Sequence, residues 1–295
     1  MPEGPRRGSG RPKSARPGGG RPGGRPGGGA PREFGSSRGA APADDGPDTE
    51  RLVYGRHPVR EAARGRRDVL AVHGTPRGLE DLAETVAELR TRGVSIRTVD
   101  HPSELDALVG TSDHQGVVAD VGPFPYVGLD ELLNRARAAG EAPLIFCLDQ
   151  VTDPHNLGAI ARVADAAGAT GLLVPEHRSA RVTAAAVKAS AGALEHVLVA
   201  RCTNLANEIE RVKGPNLWAY AATERGKAEW TQVDLVDGAL IVLGAEGPGI
   251  RPRVLSVCDV EVQIPMAGGV ASLNVATVSA VLAFEAVRQR RAAAR

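Results

Sequence analysis

Three stretches of this 295-residue chain bring ligand-gripping groups together. The first is Asp149-Gln150-Val151-Thr152-Asp153-Pro154-His155-Asn156-Leu157-Gly158-Ala159-Ile160-Ala161-Arg162. Asp153-Pro154 starts a turn, and Asn156 is of the type that caps the helix beyond it. Arg162 follows six residues later, so it lies in that helix and roughly shares a face with Asn156. Taken by themselves, Asn156 is only a cap and Arg162 only a surface cation. Glu246 weakens that plain reading. It stands in Gly244-Ala245-Glu246-Gly247-Pro248-Gly249, where three glycines and a proline exclude helix and strand and nothing structural requires a charge. The third stretch is Met266-Ala267-Gly268-Gly269-Val270-Ala271, after which Ser272-Leu273-Asn274 opens a helix. A guanidinium, a carboxylate and amides can orient a polar substrate and stabilise a developing anion. Glycine loops let backbone N–H and C=O groups grip a cofactor.

A sheet must hold these loops. Leu240-Ile241-Val242-Leu243 is the all-apolar run of a strand buried on both faces of a parallel sheet, and it stops at the Gly244 loop. Residues 260–264 alternate apolar and polar and end at Pro265. Both loops thus sit at carboxyl ends of strands, where open α/β sheets bind ligands. Residues 144–148, 171–174, 196–200 and 217–221 read as further strands. Helices are expected over 157–167, 182–191 and 205–212, giving an α/β fold with a mostly parallel sheet of about six strands. The last helix carries Val275, Val278 and Leu282 at helical spacing, together with Ala276, Ala280, Ala283 and Ala286. That surface exceeds what one sheet face needs and predicts packing against a second copy of the chain. Arg288, Arg290 and Arg291 in its tail suit the negative end of the helix dipole.

Upstream, residues 51–122 read as a small α/β domain. Strands are expected over 69–72, 94–99 and 116–121, with an amphipathic helix over 79–90 that turns Leu82, Val86 and Leu89 to one face. His114-Gln115-Gly116 reads as a polar turn, with an RNA-facing edge as the alternative. Residues 123–142, with Pro123, Pro125 and a short charged helix over 129–139, link this domain to residues 143–295. Residues 1–50 are mostly Gly, Pro, Arg, Ser and Ala without apolar periodicity, so a disordered arm is expected.

The formal net charge of +1 hides an asymmetry. Residues 1–40 hold nine basic and two acidic residues, whereas the remainder holds 27 basic and 33 acidic. Nucleic acid on the body must therefore meet a local basic patch. Cys147, Cys202 and Cys258 form no Cys-x-x-Cys pair, which argues against a zinc site or a disulfide framework, and no metal is expected. No apolar run has the length of a membrane span, and the N-terminus lacks the apolar core of a secretory signal, so a soluble cytoplasmic protein is expected. A nucleotide-dependent oxidoreductase is disfavoured, because no G-x-G-x-x-G follows the first strand of the sheet and no Walker lysine is present.

Residues 149–162, 243–249 and 264–274, in this order and at these separations, resemble the three signature motifs of the SpoU/TrmH branch of the SPOUT RNA methyltransferases. The likeness extends through Val174-Pro175, Arg178-Ser179-Ala180 and the ending from Leu282 to Arg290. Tyr54-Gly55-x-His57-x-Val59 and His114-Gln115-Gly116-Val117-Val118-Ala119 resemble the N-terminal domain of the same enzymes, so residues 52–291 are covered. The resemblance implies a C-terminal SPOUT domain with a trefoil knot, a ribosomal-protein-like RNA-binding domain before it, and a homodimer whose active site draws on both subunits. It implies S-adenosylmethionine as cofactor, with Gly244, Gly247, Ile264, Met266 and Leu273 at binding positions. Asn156, Arg162, Glu246, Ser272 and Asn274 fall at catalytic positions. The implied reaction is methylation of a ribose 2′-OH in RNA, a guanosine in the peptidyl-transferase P loop of 23S ribosomal RNA. A tRNA, or an adenosine in 23S RNA, is the alternative substrate, and a non-catalytic RNA-binding or ribosome-assembly protein is the alternative of another class.

The arm leads to a kinetic expectation. If about four of its cations neutralise phosphates at once, counterion release from single-stranded RNA gives a log–log salt slope near −3. Deleting residues 1–50 should flatten the slope by about that amount and raise KM while leaving kcat nearly unchanged, because uniform binding energy does not raise kcat. Salt-dependent binding and steady-state rates of the truncated chain check this; an unchanged slope marks the arm as a passive tail.

Overall fold

The computed structural model describes residues 49–295, so the arm expected over residues 1–50 lies, but for its last two residues, outside the described residues. The chain first forms β1 (Leu52–Tyr54), α1 (Arg56–Arg64), β2 (Val69–Gly74), α2 (Pro76–Glu80), α3 (Ala83–Thr91), β3 (Ser95–Thr98), α4 (Pro102–Val109) and β4 (Val117–Val121). The strands make one sheet in the order β1-β4-β2-β3, antiparallel except for β2 with β3. Leu82, Val86 and Leu89 are buried, as their spacing predicts. The single helix expected over 79–90 is instead two. Thr75 caps the first by accepting from Gly78 N at 3.1 Å, with Pro76 in the first turn, and Asp81 ends it. Neither α1 nor α4 was expected from periodicity. Each is short; α1 buries only Pro58, Val59, Ala62 and Ala63, and α4 buries only Leu105. The turn reading of His114-Gln115-Gly116 agrees with positive φ at Gln115 and Gly116 and with Gly116 N donating to His114 Nδ1.

The rest of the chain runs α5 (Leu129–Ala139), β5 (Leu144–Asp149), α6 (Pro154–Ala166), β6 (Gly171–Pro175), α7 (Ala184–Ala189), β7 (Val199–Cys202), α8 (Leu205–Val212), β8 (Leu217–Ala222), β9 (Ala228–Glu229), β10 (Gly238–Gly244), α9 (Pro252–Leu255), β11 (Val260–Gln263) and α10 (Val275–Ala293). Seven strands pair in parallel in the order β7-β6-β5-β10-β8-β11-β9. The strand beyond the expected six is the two-residue β9. The strand expected over 196–200 starts only at Val199, because Ala193–Glu195 forms a 3-10 turn just before it.

Alternation along β5 divides the core. Leu144, Phe146 and Leu148 face Leu157, Ile160 and Ala161 of α6 and Leu282, Ala283 and Ala286 of α10. Ile145 and Cys147 face Leu129 and Leu132 of α5 and Leu205 and Ile209 of α8. The parallel sheet is therefore covered on both faces. Five of the seven apolar and small positions read on α10, namely Val275, Ala276, Leu282, Ala283 and Ala286, are buried within the chain itself, so most of the expected surplus is absorbed here. Arg290 lies in the last turn of α10, as expected, and does more than face the helix dipole. It donates to the carbonyls of Leu235, Ala142, Pro143 and Asp237, tying the helix tail to the loops that feed β5 and β10.

The two sheets share one apolar cluster, and a buried ion pair fastens them. Arg67 Nε donates to Glu195 Oε2 at 2.9 Å, Nη2 reaches the other carboxylate oxygen, and both side chains are essentially inaccessible. Arg67 Nη1 also donates to Glu50 O, so each guanidinium nitrogen and each carboxylate oxygen has a partner. Breaking such a pair leaves an uncompensated buried charge, whereas an exposed pair such as Arg253–Glu210, at 2.8 Å, contributes little. Glu195→Ala should destabilise the fold by about 3 kcal/mol and Glu210→Ala by less than about 0.5 kcal/mol. Urea unfolding midpoints measure the difference.

Candidate active site

Two of the three stretches singled out by sequence, those after β10 and β11, meet the loop after β8 at the carboxyl ends of these strands. They surround a cleft of about 980 Å³, whose walls include Leu243–Ile250, Glu261–Met266, Ala271–Val275 and Ala222–Arg225. Gly244, Glu246, Gly247, Ile264, Met266, Ser272, Leu273 and Asn274 all line it; Asn156 and Arg162 do not. Local sequence explains each loop. At the end of β10, a Cβ on Gly244 would stand 2.3 Å from Gly249 C and 2.4 Å from Ile250 N, so only glycine lets the returning chain pass. The turn closes through Gly249 N donating to Ala245 O at 2.9 Å, with φ of +83° at Gly247 and +70° at Gly249.

Asp149 anchors this turn from below. It ends β5 fully buried, accepts Arg251 N at 2.7 Å and Arg251 Nε at 2.8 Å, and pairs with Arg251 Nη2 at 2.6 Å. Sequence reasoning gave Asp149 no role, although a charge closing an otherwise apolar strand is a readable signal. Gln150 then turns the chain with φ of +60°, an uncommon conformation for a residue other than glycine. Asp153, not Asn156, is the cap of α6: its carboxylate accepts His155 N at 2.9 Å and Pro154 fills the first helical position.

Asn156 is thereby free for another contact. Its Nδ2 donates to Glu246 Oε1 at 3.1 Å, and Asn274 Nδ2 donates to the same oxygen at 2.8 Å. Asn274 Nδ2 also donates to Asn156 Oδ1 at 2.9 Å, which closes a triangle. Asn274 caps α10, its Oδ1 accepting Ala276 N at 2.8 Å, and that bond fixes which end of the amide points at Glu246. Residues 90 and 28 positions apart from Glu246 are so held on one carboxylate oxygen.

Arg162 is placed differently from its expected position. Six residues at about 100° each leave it roughly 120° around α6 from Asn156, so the two do not share a face. Its side chain is exposed and makes no hydrogen bond or ion pair with any described residue. Thr223, missed in the sequence, lines the cleft with a buried hydroxyl that lacks a partner. The glycine cradle at Gly244, the apolar walls Leu243, Ile264 and Leu282, and this orphaned hydroxyl suit a ligand with both a flat apolar part and polar edges. The cysteines lie elsewhere. Burial pushes Cys202 and Cys258 up to about 12 and Cys147 well above its usual value, which keeps all three as thiols. Among the described residues no cluster of three or more His, Cys, Asp or Glu could hold a metal ion, and no helix is long and apolar enough to cross a membrane.

Residues 143–284 match the model of the SpoU rRNA methylase family, and residues 52–127 match that described as RNA 2′-O ribose methyltransferase substrate binding. The chain is 46% identical over 192 residues to the 23S rRNA (guanosine-2′-O-)-methyltransferase RlmB of Pseudomonas syringae pv. tomato, covering 64% of this chain and 75% of that one. It is 34% identical over 263 residues to the uncharacterized tRNA/rRNA methyltransferase slr0955 of Synechocystis, covering 87% of this chain and 68% of that one. The crystal structure of the SpoU methyltransferase AviRb from Streptomyces viridochromogenes, in complex with AdoMet, superposes with a TM-score of 0.67 at 30% identity, over 81% of this chain and 90% of that one.

The triangle predicts a local consequence. Asn274→Ala removes the cap of α10 together with both donations from Nδ2, at a cost of about 1–2 kcal/mol. Hydrogen exchange should show the amides of Ala276 and Thr277 losing protection, while β5 and β6 keep theirs.

Proposed function

The chain belongs to the SpoU rRNA methylase family, and from that premise we propose that it transfers a methyl group from S-adenosylmethionine to the ribose 2′-OH of a guanosine in the peptidyl-transferase P loop of 23S ribosomal RNA. One observation carries the reading. The Glu246–Asn156–Asn274 triangle joins three separate loops beside a cleft that combines close-approach glycine with apolar walls. The likeness to RlmB supports guanosine and 23S RNA, and the AdoMet in AviRb supports the cofactor.

Gly244 and Gly247 would present backbone to the cofactor, and Ile264, Met266 and Leu273, which line the same cleft, would hold it. When bound, S-adenosylmethionine supplies an electrophilic methyl group carried on a sulfonium. The chain's own residues must place the hydroxyl in line and stabilise charge growing on its oxygen. Glu246 keeps the loops in register through the two asparagines, and Ser272 shapes the adjoining turn. As a guanidinium, Arg162 offers donors and no acceptor, so it does not serve as the base. It grips a flanking phosphate and stabilises the developing alkoxide, and the hydroxyl proton leaves to water.

The position of Arg162 away from the cleft, without a partner, supports a site completed by a second subunit. Phe284, half exposed on α10, offers that contact an apolar anchor. The trefoil knot and the homodimer belong to the same proposal. So does the division into an RNA-binding domain over 51–122, a linker over 123–142 and a catalytic domain over 143–295.

Mapping 2′-O-methylation at nucleotide resolution in cells with and without the protein tests the reading. Loss at one 23S guanosine is expected; loss in a tRNA or at an adenosine moves the substrate, and no loss anywhere leaves an RNA-binding protein. In purified protein, Arg162→Ala should lower kcat at least about 10²-fold with S-adenosylmethionine affinity held within a few-fold. Unchanged turnover contradicts the role given to Arg162.

A further inference from the structure

Thr223 stands just beyond the end of β8, on the cleft wall with Leu243, Gln263 and Ile264. Its Oγ1 is buried and has no hydrogen-bond partner among the described residues. The backbone leaves it little room to find one. Thr223 N donates to Val262 O at 2.9 Å, and a Cβ on nearby Gly226 would stand 2.5 Å from Val262 C and 2.6 Å from Gln263 N. The segment is therefore pressed onto β11, and a β-branched side chain has few χ1 settings of its own. A buried hydroxyl without a partner destabilises the fold, and a valine would fill similar space without that penalty. The hydroxyl makes physical sense once a ligand brings the missing partner.

Resting on the function proposed above, we propose that Thr223 binds the adenosine moiety of S-adenosylmethionine through a hydrogen bond from Oγ1 to a neutral polar edge of that moiety. A hydroxyl both donates and accepts, which matches ring nitrogens and ribose hydroxyls. The amino-acid end of the cofactor carries full charges, which call for charged or multiple partners that one hydroxyl does not supply. Leu243, Ile264 and Leu282 line the same cleft and suit a flat apolar ring. Thr223 is thus a binding and specificity residue, remote from the transferred methyl. Its contact is common to every ligand that carries the adenosine part.

The test uses the full chain as wild type, Thr223→Val and Thr223→Ser. S-adenosylmethionine, S-adenosylhomocysteine and 5′-methylthioadenosine are titrated by calorimetry, and thermal unfolding is recorded without ligand. Thr223→Val should weaken all three ligands about tenfold, and Thr223→Ser should stay within about twofold of wild type. Ligand-free Thr223→Val should unfold at a temperature equal to or above that of wild type, because the orphaned group is gone. Wild-type affinity in Thr223→Val overturns the inference. So does weakening confined to the two ligands with an amino-acid end, or a ligand-free Thr223→Val that unfolds earlier. Failure of the wild type to bind S-adenosylmethionine is a separate outcome: it overturns the proposed function, and this inference with it.

Discussion

A single carboxylate oxygen, Glu246 Oε1, accepts two amide donors from loops that are remote in sequence and adjacent in space. Much of the site depends on that sharing. A glycine-rich turn such as 244–249 has many backbone states in the unfolded chain and needs specific bonds to hold one of them. The triangle with Asn156 and Asn274 provides those bonds at the tip of the turn, while Arg251 on Asp149 provides them at its base. The two ends act differently. Asp149 is buried and paired with a cation, which makes that end a structural clamp. Glu246 is exposed, and Oε2 has no partner among the described residues, so it remains able to bond an incoming group.

The scaffold explains why the triangle forms where it does. In the strand order β7-β6-β5-β10-β8-β11-β9, β10 lies between β5 and β8, so the turn after β10 is flanked by the loop after β5. That loop carries Asn156 on the first turn of α6. Close packing keeps α6 in place: a Cβ on Gly158 would stand 2.3 Å from Ala186 O of α7, so glycine there lets the two helices touch. α10 packs on α6 from the other side and delivers Asn274 through its own cap. Helix packing, strand order and capping chemistry thus converge on one polar contact.

Much of this was legible in the sequence. The apolar runs of β5 and β10, the glycine turn, the helical spacing on α10 and the presence of Glu246, Ser272 and Asn274 at one site all follow from pattern and motif. What failed did so for local reasons. Asn156 was read as a cap, but Asp153-Pro154 outcompetes it because aspartate accepts the free N–H groups and proline fits the first helical position. Arg162 was read onto the same face, although six residues cannot share one. The helices α1 and α4, nine and eight residues long, are too short for a helical period to stand out in the sequence. Thr223 carries no sequence mark beyond standing just past a strand, since its meaning comes from neighbours supplied by another strand, whereas Asp149 is marked as the charge that closes an apolar run. Periodicity on α10 cannot say how much of the helix its own chain covers: five of the seven apolar and small positions are buried within it, and Phe284 stays half exposed.

On the function proposed, Glu246 and Asn156 act as one unit in holding the loops beside the cleft. A double-mutant cycle on S-adenosylmethionine affinity, using Glu246→Ala, Asn156→Ala and the pair, measures this directly. A coupling of about 1 kcal/mol is expected, so that the pair loses roughly fivefold less affinity than the two single losses multiplied together. Losses that multiply to within about 0.3 kcal/mol would show that the two residues act independently, and would contradict that expectation.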